Sequence, residues 1–364
     1  MQRKKLIDCC EFISDGDHLP PPKSDNGIPF VTISNITEQN KLSFENTMFV
    51  PESYYNELGN NKKAKKGDIL YSVVGSFGKA VYIDFDKPMV FQRHIAILRP
   101  KSEVNARYIY YTMTNSQFYK LVDKLAIGCS QRTVTLDTLR NIEINIPDKN
   151  IQDRIVEILS LIDKKISENC DINDNLYSQL KLSYENMMSN VAKNKINGQH
   201  TIAKSLVEIK TGKQDANFSV DNGKYKFFTC SNTPLTCDEF EFDNSSILIA
   251  GNGNFNVKHY TGKFNAYQRT YVLSPSDEYY ALLYLSCLYR INSFRSSSTG
   301  SIVKFITKSD IDNIPVFIPD DENFLNKLNT LLKFIEKNNT ENDELSNLRD
   351  WLLPMLMNGQ ATIE

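Results

Sequence analysis

The chain has 364 residues, enough for two or three domains that each bury a core of their own. Hydrophobic residues make up 41% of it and charged residues 24%, the balance of an ordinary globular protein. A formal net charge of −2 argues against a non-specific nucleic-acid binder, which is normally basic, although a local basic face is compatible with this charge.

No apolar stretch approaches the roughly 20 residues that span a bilayer, and no apolar signal core follows the N-terminus. We therefore expect a cytoplasmic protein with no membrane partner. The seven cysteines show no CxxC spacing, and only four histidines accompany them. This pattern predicts reduced thiols that lie mostly in the core, with no metal and no cofactor.

The first 148 residues alternate short β-type runs with turns that contain Gly67, Gly75 and Gly78. The clearest runs are Pro29–Ile33, Asp68–Val74, Ala80–Ile83 and His94–Leu98. A helix with an apolar face is predicted over Ala106–Leu125, followed by a polar loop and a strand that ends at Pro147. We predict a mixed α/β (α+β) globule over residues 1–148.

A long helix is predicted within residues 149–198, because apolar residues recur there at alternating steps of four and three. Two asparagines interrupt this apolar seam, and Asn197-Gly198 is a typical helix stop. The seam consists of Ile155, Leu159, Ile162, Ile166, Asn169, Asn173, Leu176 and Leu180.

The pattern of the first globule returns over residues 199–320, which we predict to be a second globule of the same class. The run Ser246–Gly253 stands where Asp68–Gly75 stands in the first half. The pair Gln268-Arg269 repeats the pair Gln92-Arg93 at a shift of 176 (268 − 92).

A second long helix is predicted within residues 321–364, and a shift of 169 (338 − 169) superimposes its seam on the first. This seam contains Leu328, Leu331, Ile335, Asn338, Asn342, Leu345 and Leu352. Beyond the helices Asn197-Gly198 recurs as Asn358-Gly359, at a shift of 161 (358 − 197). The eight-residue difference predicts a first helix, or helix exit, about two turns longer. Pro354 should kink or end the second helix.

The resulting fold is a tandem repeat of two α/β globules, each followed by a long helix. We expect the helices to pair as an antiparallel coiled coil and to give the molecule a pseudo-twofold architecture. Asn169 and Asn173 would then face Asn342 and Asn338 and fix the register of the pair. The alternative is that these asparagines mark a solvent-exposed or frayed middle of each helix.

Several short motifs recur in the same order in both halves or at the helix entries. They are the Gly67–Leu70 run with its following glycines, the two Gln-Arg pairs, the Pro-ended strands entering Ile151-Gln152, and Ile162–Ile166. On these motifs the chain resembles the specificity subunit of type I restriction-modification systems. It departs from the pattern where Ser245-Ser246 replaces the Gly-Asp pair and where the second helix entry lacks a counterpart of Gln152.

The resemblance implies a function without chemistry of its own. Each globule would be a target-recognition domain that reads one half of a bipartite double-stranded DNA sequence, while the paired helices set the gap between the halves. The helices would also dock two methyltransferase (modification) subunits, and restriction (nuclease and translocase) subunits would join that core.

Polar side chains in turns and loops are the candidates for DNA contact, since Arg or Lys reads guanine and Asn or Gln reads adenine. The candidates are Ser76, Lys79, Gln92, Arg93, Ser130, Gln131, Arg132, Asn252, Asn254, Lys258, Gln268, Arg269, Ser301 and Lys304. Each could instead be a solvated surface residue. The repeated Gln-Arg pair favours a framework or phosphate role, because the two halves should read different bases.

Catalytic signatures are missing from the sequence: it contains neither an Asp/Asn-Pro-Pro-Tyr/Phe run for base methylation nor a phosphate loop for a motor. A freestanding enzyme therefore has no support. The remaining alternative is a non-catalytic coiled-coil scaffold with two protein- or ligand-binding globules. Salt dependence separates the two, because phosphate contacts weaken steeply as salt rises.

Overall fold

A computed structural model of the chain describes residues 2–37, 39–128, 131–253, 255–297 and 305–360. The chain divides into two compact units, of which unit 1 comprises Met1–Lys165 and Glu344–Glu364 and unit 2 comprises Ile166–Asp343. Each long helix therefore contributes residues to both units.

The described residues of unit 1 form three sheets, which follow from its short β-branched and aromatic runs. Its strands are β1 (Gln2–Lys5), β2 (Cys10–Asp15), β3 (Ile28–Val31), β4 (Met48–Val50), β5 (Ile69–Ser72), β6 (Ala80–Tyr82), β7 (Val90–Phe91), β8 (Ile95–Pro100) and β9 (Glu143–Ile146). Its helices are α1 (Glu52–Glu57), α2 (Ala106–Thr114), α3 (Ser116–Leu125), α4 (Leu136–Asn141) and the start of α5 (Lys149–Ala192). The strand orders are β2-β8-β5-β6, β4-β3-β7 and β1-β9.

Unit 2 has the same kinds of element in the same chain order. Its strands are β10 (Gly198–Ile202), β11 (Ile209–Thr211), β12 (Tyr225–Phe228), β13 (Leu235–Cys237), β14 (Phe242–Ala250), β15 (Val257–Ala266), β16 (Thr270–Leu273) and β17 (Pro315–Pro319). Its helices are α6 (Tyr280–Ser297), α7 (Lys308–Asp312) and the start of α8 (Glu322–Met357). The strand orders are β11-β16-β14-β15-β12-β13 and β10-β17.

The two units share one topology, with a single difference in how the strands are divided. In unit 1, β6 pairs antiparallel with β5 and β7 pairs parallel with β3. In unit 2, the long strand β15 does both, because its first part pairs antiparallel with β14 and its last part pairs parallel with β12. The predicted fold class, two α/β units that each precede a long helix, is confirmed.

Each unit has its own core, to which both long helices contribute. In unit 1, Leu159 of α5 packs in the same cluster as Leu353 and Leu356 of α8, together with the sheet and α2. In unit 2, Leu180 of α5 lies in one cluster with Leu328 of α8 and the apolar face of β14. The residues of both predicted seams are buried or half-buried.

The middle of the helix pair, within unit 2, is held by asparagines. Asn169 Nδ2 donates to Asn342 Oδ1 at 2.9 Å, and Asn338 Nδ2 donates to Asn173 Oδ1 at 2.8 Å. The partner numbers fall on α8 as they rise on α5, so the helices are antiparallel there. The amides therefore pair as the sequence predicts, and Asn169 is only 1% exposed.

The helix lengths agree with the repeat, but the structure divides one predicted helix and excludes one of the two effects predicted for Pro354. The helix α5 has 44 residues and α8 has 36, an excess of eight. The helix expected over Ala106–Leu125 is divided at Asn115, whose side-chain oxygen caps α3 by accepting from the Gln117 amide. Pro354 does not end α8, which continues to Met357 because Leu356 and Met357 are buried in the unit 1 core.

The Ser245-Ser246 departure in the second half is explained by a paired replacement. In unit 1, Asp68 lies at the start of β5 and accepts from Arg99 Nε and Nη2 at 2.9 and 2.7 Å. In unit 2, the strand registers place Ser246 and Ser274 at these positions, and their hydroxyls lie 2.8 Å apart. An ion pair with a buried carboxylate in one half is thus a hydroxyl pair in the other.

The missing counterpart of Gln152 is also replaced, from a different position on the helix. Gln152 Oε1 accepts from the Asn105 amide at the start of α2 at 2.8 Å. In unit 2, Asn329 Oδ1 accepts from the Ala281 amide at the start of α6 at 2.9 Å. Each amide ties the long helix to the helix that covers the sheet.

The Asp68–Arg99 pair provides a test of this replacement. Asp68→Ser should lower the free energy of unfolding by about 3–5 kcal/mol, because Arg99, whose side chain is only 13% exposed, would lose its carboxylate partner and keep only its bond to the Lys63 carbonyl. The double variant Asp68→Ser/Arg99→Ser reproduces the arrangement of unit 2 and should recover most of that loss. Urea unfolding measures both effects, and additive losses in the double variant would contradict the coupling.

Candidate nucleic-acid interface

The loops of unit 1 meet at one end of the four-stranded sheet. The pairs Asp15↔Ala96 and Ser72↔Ile95 bring the end of β2, the start of β8 and the end of β5 to this edge. Loop cluster 1 consists of residues 15–18, 73–79, 92–94 and 131–133. Its last segment is attached through the amide of Gly75, which donates to the Arg132 carbonyl at 3.0 Å.

Most of the candidates in the first half are brought together in this cluster. Ser76, Arg93, Gln131 and Arg132 are exposed, and Lys79 and Gln92 are half-buried. Ser130 lies outside the described residues.

Arg132 is held within the protein rather than left open to a ligand. Its guanidinium donates to the side chain and to the carbonyl oxygen of Asp123, and it lies 5.6 Å from the centre of the Phe77 ring. Phe77 in turn stacks on Tyr119 at 5.8 Å. Arg132 therefore holds its loop against α3. This internal role makes it a weaker candidate for a base contact.

Two other titratable groups of loop cluster 1 are fixed by their surroundings. Burial would raise the pKa of Asp17, but hydrogen bonds from Tyr54 and Lys62 outweigh it and hold this pKa below its ordinary value. Burial and the neighbouring Arg93 lower the pKa of His94. Asp17 is thus an ionised, internally paired carboxylate, and His94 is biased toward its neutral form.

The corresponding end of the sheet in unit 2 forms loop cluster 2, residues 212–214, 229–232, 251–253 and 267–269. Of the candidates there, Gln268 and Arg269 are exposed, and Asn252 is half-buried. Asn254, Ser301 and Lys304 lie outside the described residues.

Lys258, at the start of β15, is engaged with its own protein. Its ammonium donates to the Ser231 carbonyl at 2.6 Å and to Asn256 Oδ1 at 2.7 Å. Burial lowers the pKa of Lys258 to about 8. The lysine therefore braces the loop after β12, and a phosphate would have to compete with these bonds.

The two Gln-Arg pairs do not occupy equivalent positions, although their letters match. Three backbone hydrogen bonds fix the turn in each unit and show the equivalence. In loop cluster 1 the bonds are Gln92 N to Val31 O, Arg93 N to Asp17 O and Val73 N to His94 O. In loop cluster 2 they are Tyr267 N to Phe228 O, Gln268 N to Gln214 O and Gly251 N to Arg269 O. Arg93 thus corresponds to Gln268 and His94 to Arg269, a shift of 175 (268 − 93).

This correction removes the argument for a framework role. The framework role was inferred because the same two residues seemed to recur at one position, whereas the residues at the equivalent position are an arginine and a glutamine. The turn keeps its backbone and changes its side chain.

Two glycines that sequence reasoning did not single out make these turns possible. A Cβ on Gly16 would lie 2.2 Å from the Phe91 carbonyl oxygen, and one on Gly212 would lie 2.0 Å from that of Ala266. The loops after β2 and β11 can approach the turns this closely only because neither residue has a side chain. The only sequence signal was a lone glycine after a short strand in each half.

The described residues give no sign of a metal or a membrane-spanning helix. They contain no group of three or more His, Cys, Asp or Glu side chains that could hold a metal ion. None of the helices within these ranges has the length and hydropathy to cross a bilayer. Of the cysteines described, Cys9, Cys10, Cys237 and Cys287 are buried.

The sequence matches the family model described as the type I restriction modification DNA specificity domain, over residues 1–178 and 203–347. The chain is 38% identical over 166 residues to the specificity subunit of the type I restriction enzyme EcoDI from Escherichia coli. That match covers 44% of this chain and 37% of the relative. A specificity subunit of the enzyme HindI from Haemophilus influenzae is 30% identical over 125 residues, 32% of this chain and 27% of the relative. The chain thus spans less than two fifths of these relatives.

A solved structure in the comparison matches over the whole chain. The S subunit of a type I restriction-modification system from M. genitalium has 16% sequence identity and a TM-score of 0.59, and the match covers 100% of this chain and 96% of that one. At this identity the likeness concerns the fold alone.

The first prediction here concerns the close approach at the glycines. Gly16→Ala and Gly212→Ala should each lower the free energy of unfolding by about 1–3 kcal/mol, because the added Cβ overlaps a backbone oxygen. Gly59→Ala is the matched control, since its Cβ would meet only the side chain of Asn61. Thermal unfolding followed by circular dichroism measures all three, and equal effects of all three substitutions would contradict the steric argument.

The second prediction concerns the ammonium of the half-buried Lys258. With a pKa of about 8 in the folded protein and an ordinary value near 10.5, the folded state binds fewer protons than the unfolded state between these values. This group's contribution to stability should therefore increase as pH rises through that window. In urea unfolding from pH 7.5 to 10, the free energy of unfolding of the wild type should rise relative to that of Lys258→Met. A constant difference between the two proteins would contradict the lowered pKa.

Proposed function

Because the chain belongs to the family of the type I restriction modification DNA specificity domain, we propose that it is the DNA sequence-recognition subunit of a type I restriction-modification complex. It has no catalytic role of its own and lends sequence specificity to its partners. The observation that carries the proposal is the repeated sheet end, which presents two loop clusters with the same backbone and different exposed side chains.

In this proposal residues 1–148 and 199–320 are the two target-recognition domains. Each reads one half of a bipartite double-stranded DNA target through the loops at the end of its sheet. The exposed candidates Ser76, Arg93, Gln131, Gln268 and Arg269 contact DNA, whereas Arg132 and Lys258 hold their loops in place. This division is supported by the internal partners of the latter two.

Residues 149–198 and 321–364 supply the paired helices, which set the spacing between the half-sites. A helix of 44 residues is about 66 Å long at 1.5 Å per residue, long enough to act as a rigid spacer. The helices also dock two methyltransferase subunits, with restriction subunits joining the assembly in the cytoplasm.

Binding to randomised duplexes in the presence of the cognate methyltransferase subunits tests the proposal. We expect selection of two short blocks at fixed separation and an affinity that falls steeply as salt rises, because counterions are released from phosphates. Binding without preference for any bipartite sequence, or a flat salt response, would favour the scaffold alternative.

The spacer role makes a separate prediction. Deleting residues 166–172 together with 339–345 removes one heptad from each helix, keeps the apolar seams in phase and leaves the Asn173–Asn338 pair in place. The helix pair becomes about 10 Å shorter. At 3.4 Å per base pair, the tolerated gap between half-sites should shrink by about three base pairs.

The half-site letters themselves should not change, and selection from randomised duplexes measures both properties. The matched control inserts one heptad at the same points and should lengthen the gap. An unchanged gap in both variants, or altered letters within the half-sites, would contradict the assignment of spacing to the helices.

A further inference from the structure

The turn between β7 and β8, and its counterpart between β15 and β16, hold their backbone in the same way. In loop cluster 1 the amides of Gln92, Arg93 and Ile95 all donate to backbone oxygens, at 2.9, 3.0 and 2.9 Å. In loop cluster 2 the amides of Tyr267, Gln268 and Thr270 do the same, at 2.9, 2.9 and 2.8 Å. These bonds link each turn to two neighbouring strand ends, so the position of Arg93 or Gln268 is set by the fold.

The loop behind each turn adds a second constraint. Gly16 and Gly212 pack directly on the turn carbonyls, where a Cβ would come within 2.2 and 2.0 Å of an oxygen atom. The turn cannot retreat toward this loop when a ligand approaches. A side chain on this turn is therefore presented from a preorganised base.

The two side chains at this position are exposed and have no polar partner among the described residues. Among the residues that the structure describes, neither Arg93 nor Gln268 makes a side-chain hydrogen bond or an ion pair with another. This sets them apart from Arg132 and Lys258, whose cationic groups are bonded within the protein. Arg93 and Gln268 can thus turn all their donors and acceptors outward.

The chemistry of the pair distinguishes base reading from phosphate binding. A phosphate attracts a cation most strongly because it is negatively charged, and only unit 1 has a cation at this position. The glutamine at the second position is neutral, yet it has the donor and acceptor that pair with adenine N7 and N6. An arginine at the first position matches guanine O6 and N7.

We propose that Arg93 and Gln268 occupy one specificity-determining position of the duplicated fold, where Arg93 reads a guanine in one half-site and Gln268 reads an adenine in the other. This inference rests on the proposed function. It adds the identity of one base in each half-site and the residue that selects it.

Exchanging the two residues tests the inference directly. The full chain with its methyltransferase subunits is used to select from randomised duplexes, with Arg93→Gln and Gln268→Arg as the variants. Arg93→Gln should change one base pair of one half-site from G·C to A·T, and Gln268→Arg should make the reverse change in the other. Each switch should appear as a roughly tenfold to hundredfold change in base preference, with the spacer unaltered.

Two exposed residues outside the loop clusters serve as matched controls. Arg3 in β1 and Gln199 in β10 are exposed, so Arg3→Gln and Gln199→Arg make the same chemical changes away from the turns. Neither should change any base preference. Arg93→Ala should leave the first position tolerant of all four base pairs, which separates loss of reading from a change of reading.

The outcomes distinguish this inference from the proposed function. If Arg93→Gln weakens binding equally for all sequences and lowers the salt slope by about one, Arg93 contacts a phosphate and the inference is wrong. Unchanged letters in both exchange variants would also overturn it, while a bipartite preference of the wild type would leave the proposed function standing. If the wild type selects no bipartite sequence, both fail.

Discussion

The hydrogen-bonded asparagines in the seam between α5 and α8 fix the register on which the rest of the architecture depends. Apolar seam residues repeat with the heptad, so burial alone would permit the helices to slide by whole heptads. The asparagine side-chain amides oppose such a slide. Any slide would leave Asn169 and Asn173, which are 1% and 5% exposed, without their partners, at a cost of about 1–3 kcal/mol for each unsatisfied group. One register is thus selected, and with it the set of seam residues that each unit receives.

Much of the fold could be predicted because its strongest signals are periodic. The seams, the asparagine pairs and the eight-residue excess of α5 all follow from spacing, which survives tertiary packing. Local breaks were harder. The division at Asn115 depends on one side chain capping the next helix, and the continuation of α8 through Pro354 depends on burial of Leu356 and Met357 in a core whose other members are distant in sequence.

The candidate site was predictable at the level of loops but not of roles. Glycine-marked turns predicted loops around Ser76 and Gln131, since turn chemistry is local, and the described residues there lie in loops. The role of Arg132 is set by Asp123, which a helix brings beside it, and no spacing rule links the two. Matching letters gave a shift of 176 for the Gln-Arg pairs, whereas the backbone hydrogen bonds give 175. Equivalence is a property of the backbone, and one residue of error changes which side chains are compared.

The two units also show which differences a duplicated fold must compensate. Ser246 and Ser274 stand in unit 2 where Asp68 and Arg99 stand in unit 1. The bond that Gln152 makes in unit 1 is made in unit 2 by Asn329. Each of these changes is accompanied by a second change, so that the buried polar groups involved keep a hydrogen-bond partner. An unpaired buried polar group would cost a large fraction of the small net free energy of folding. The exchange of Arg93 for Gln268 has no such companion, since both side chains point to solvent. Framework substitutions are therefore coupled and surface substitutions are not. It is the uncoupled substitutions that let a single backbone present two different hydrogen-bonding patterns.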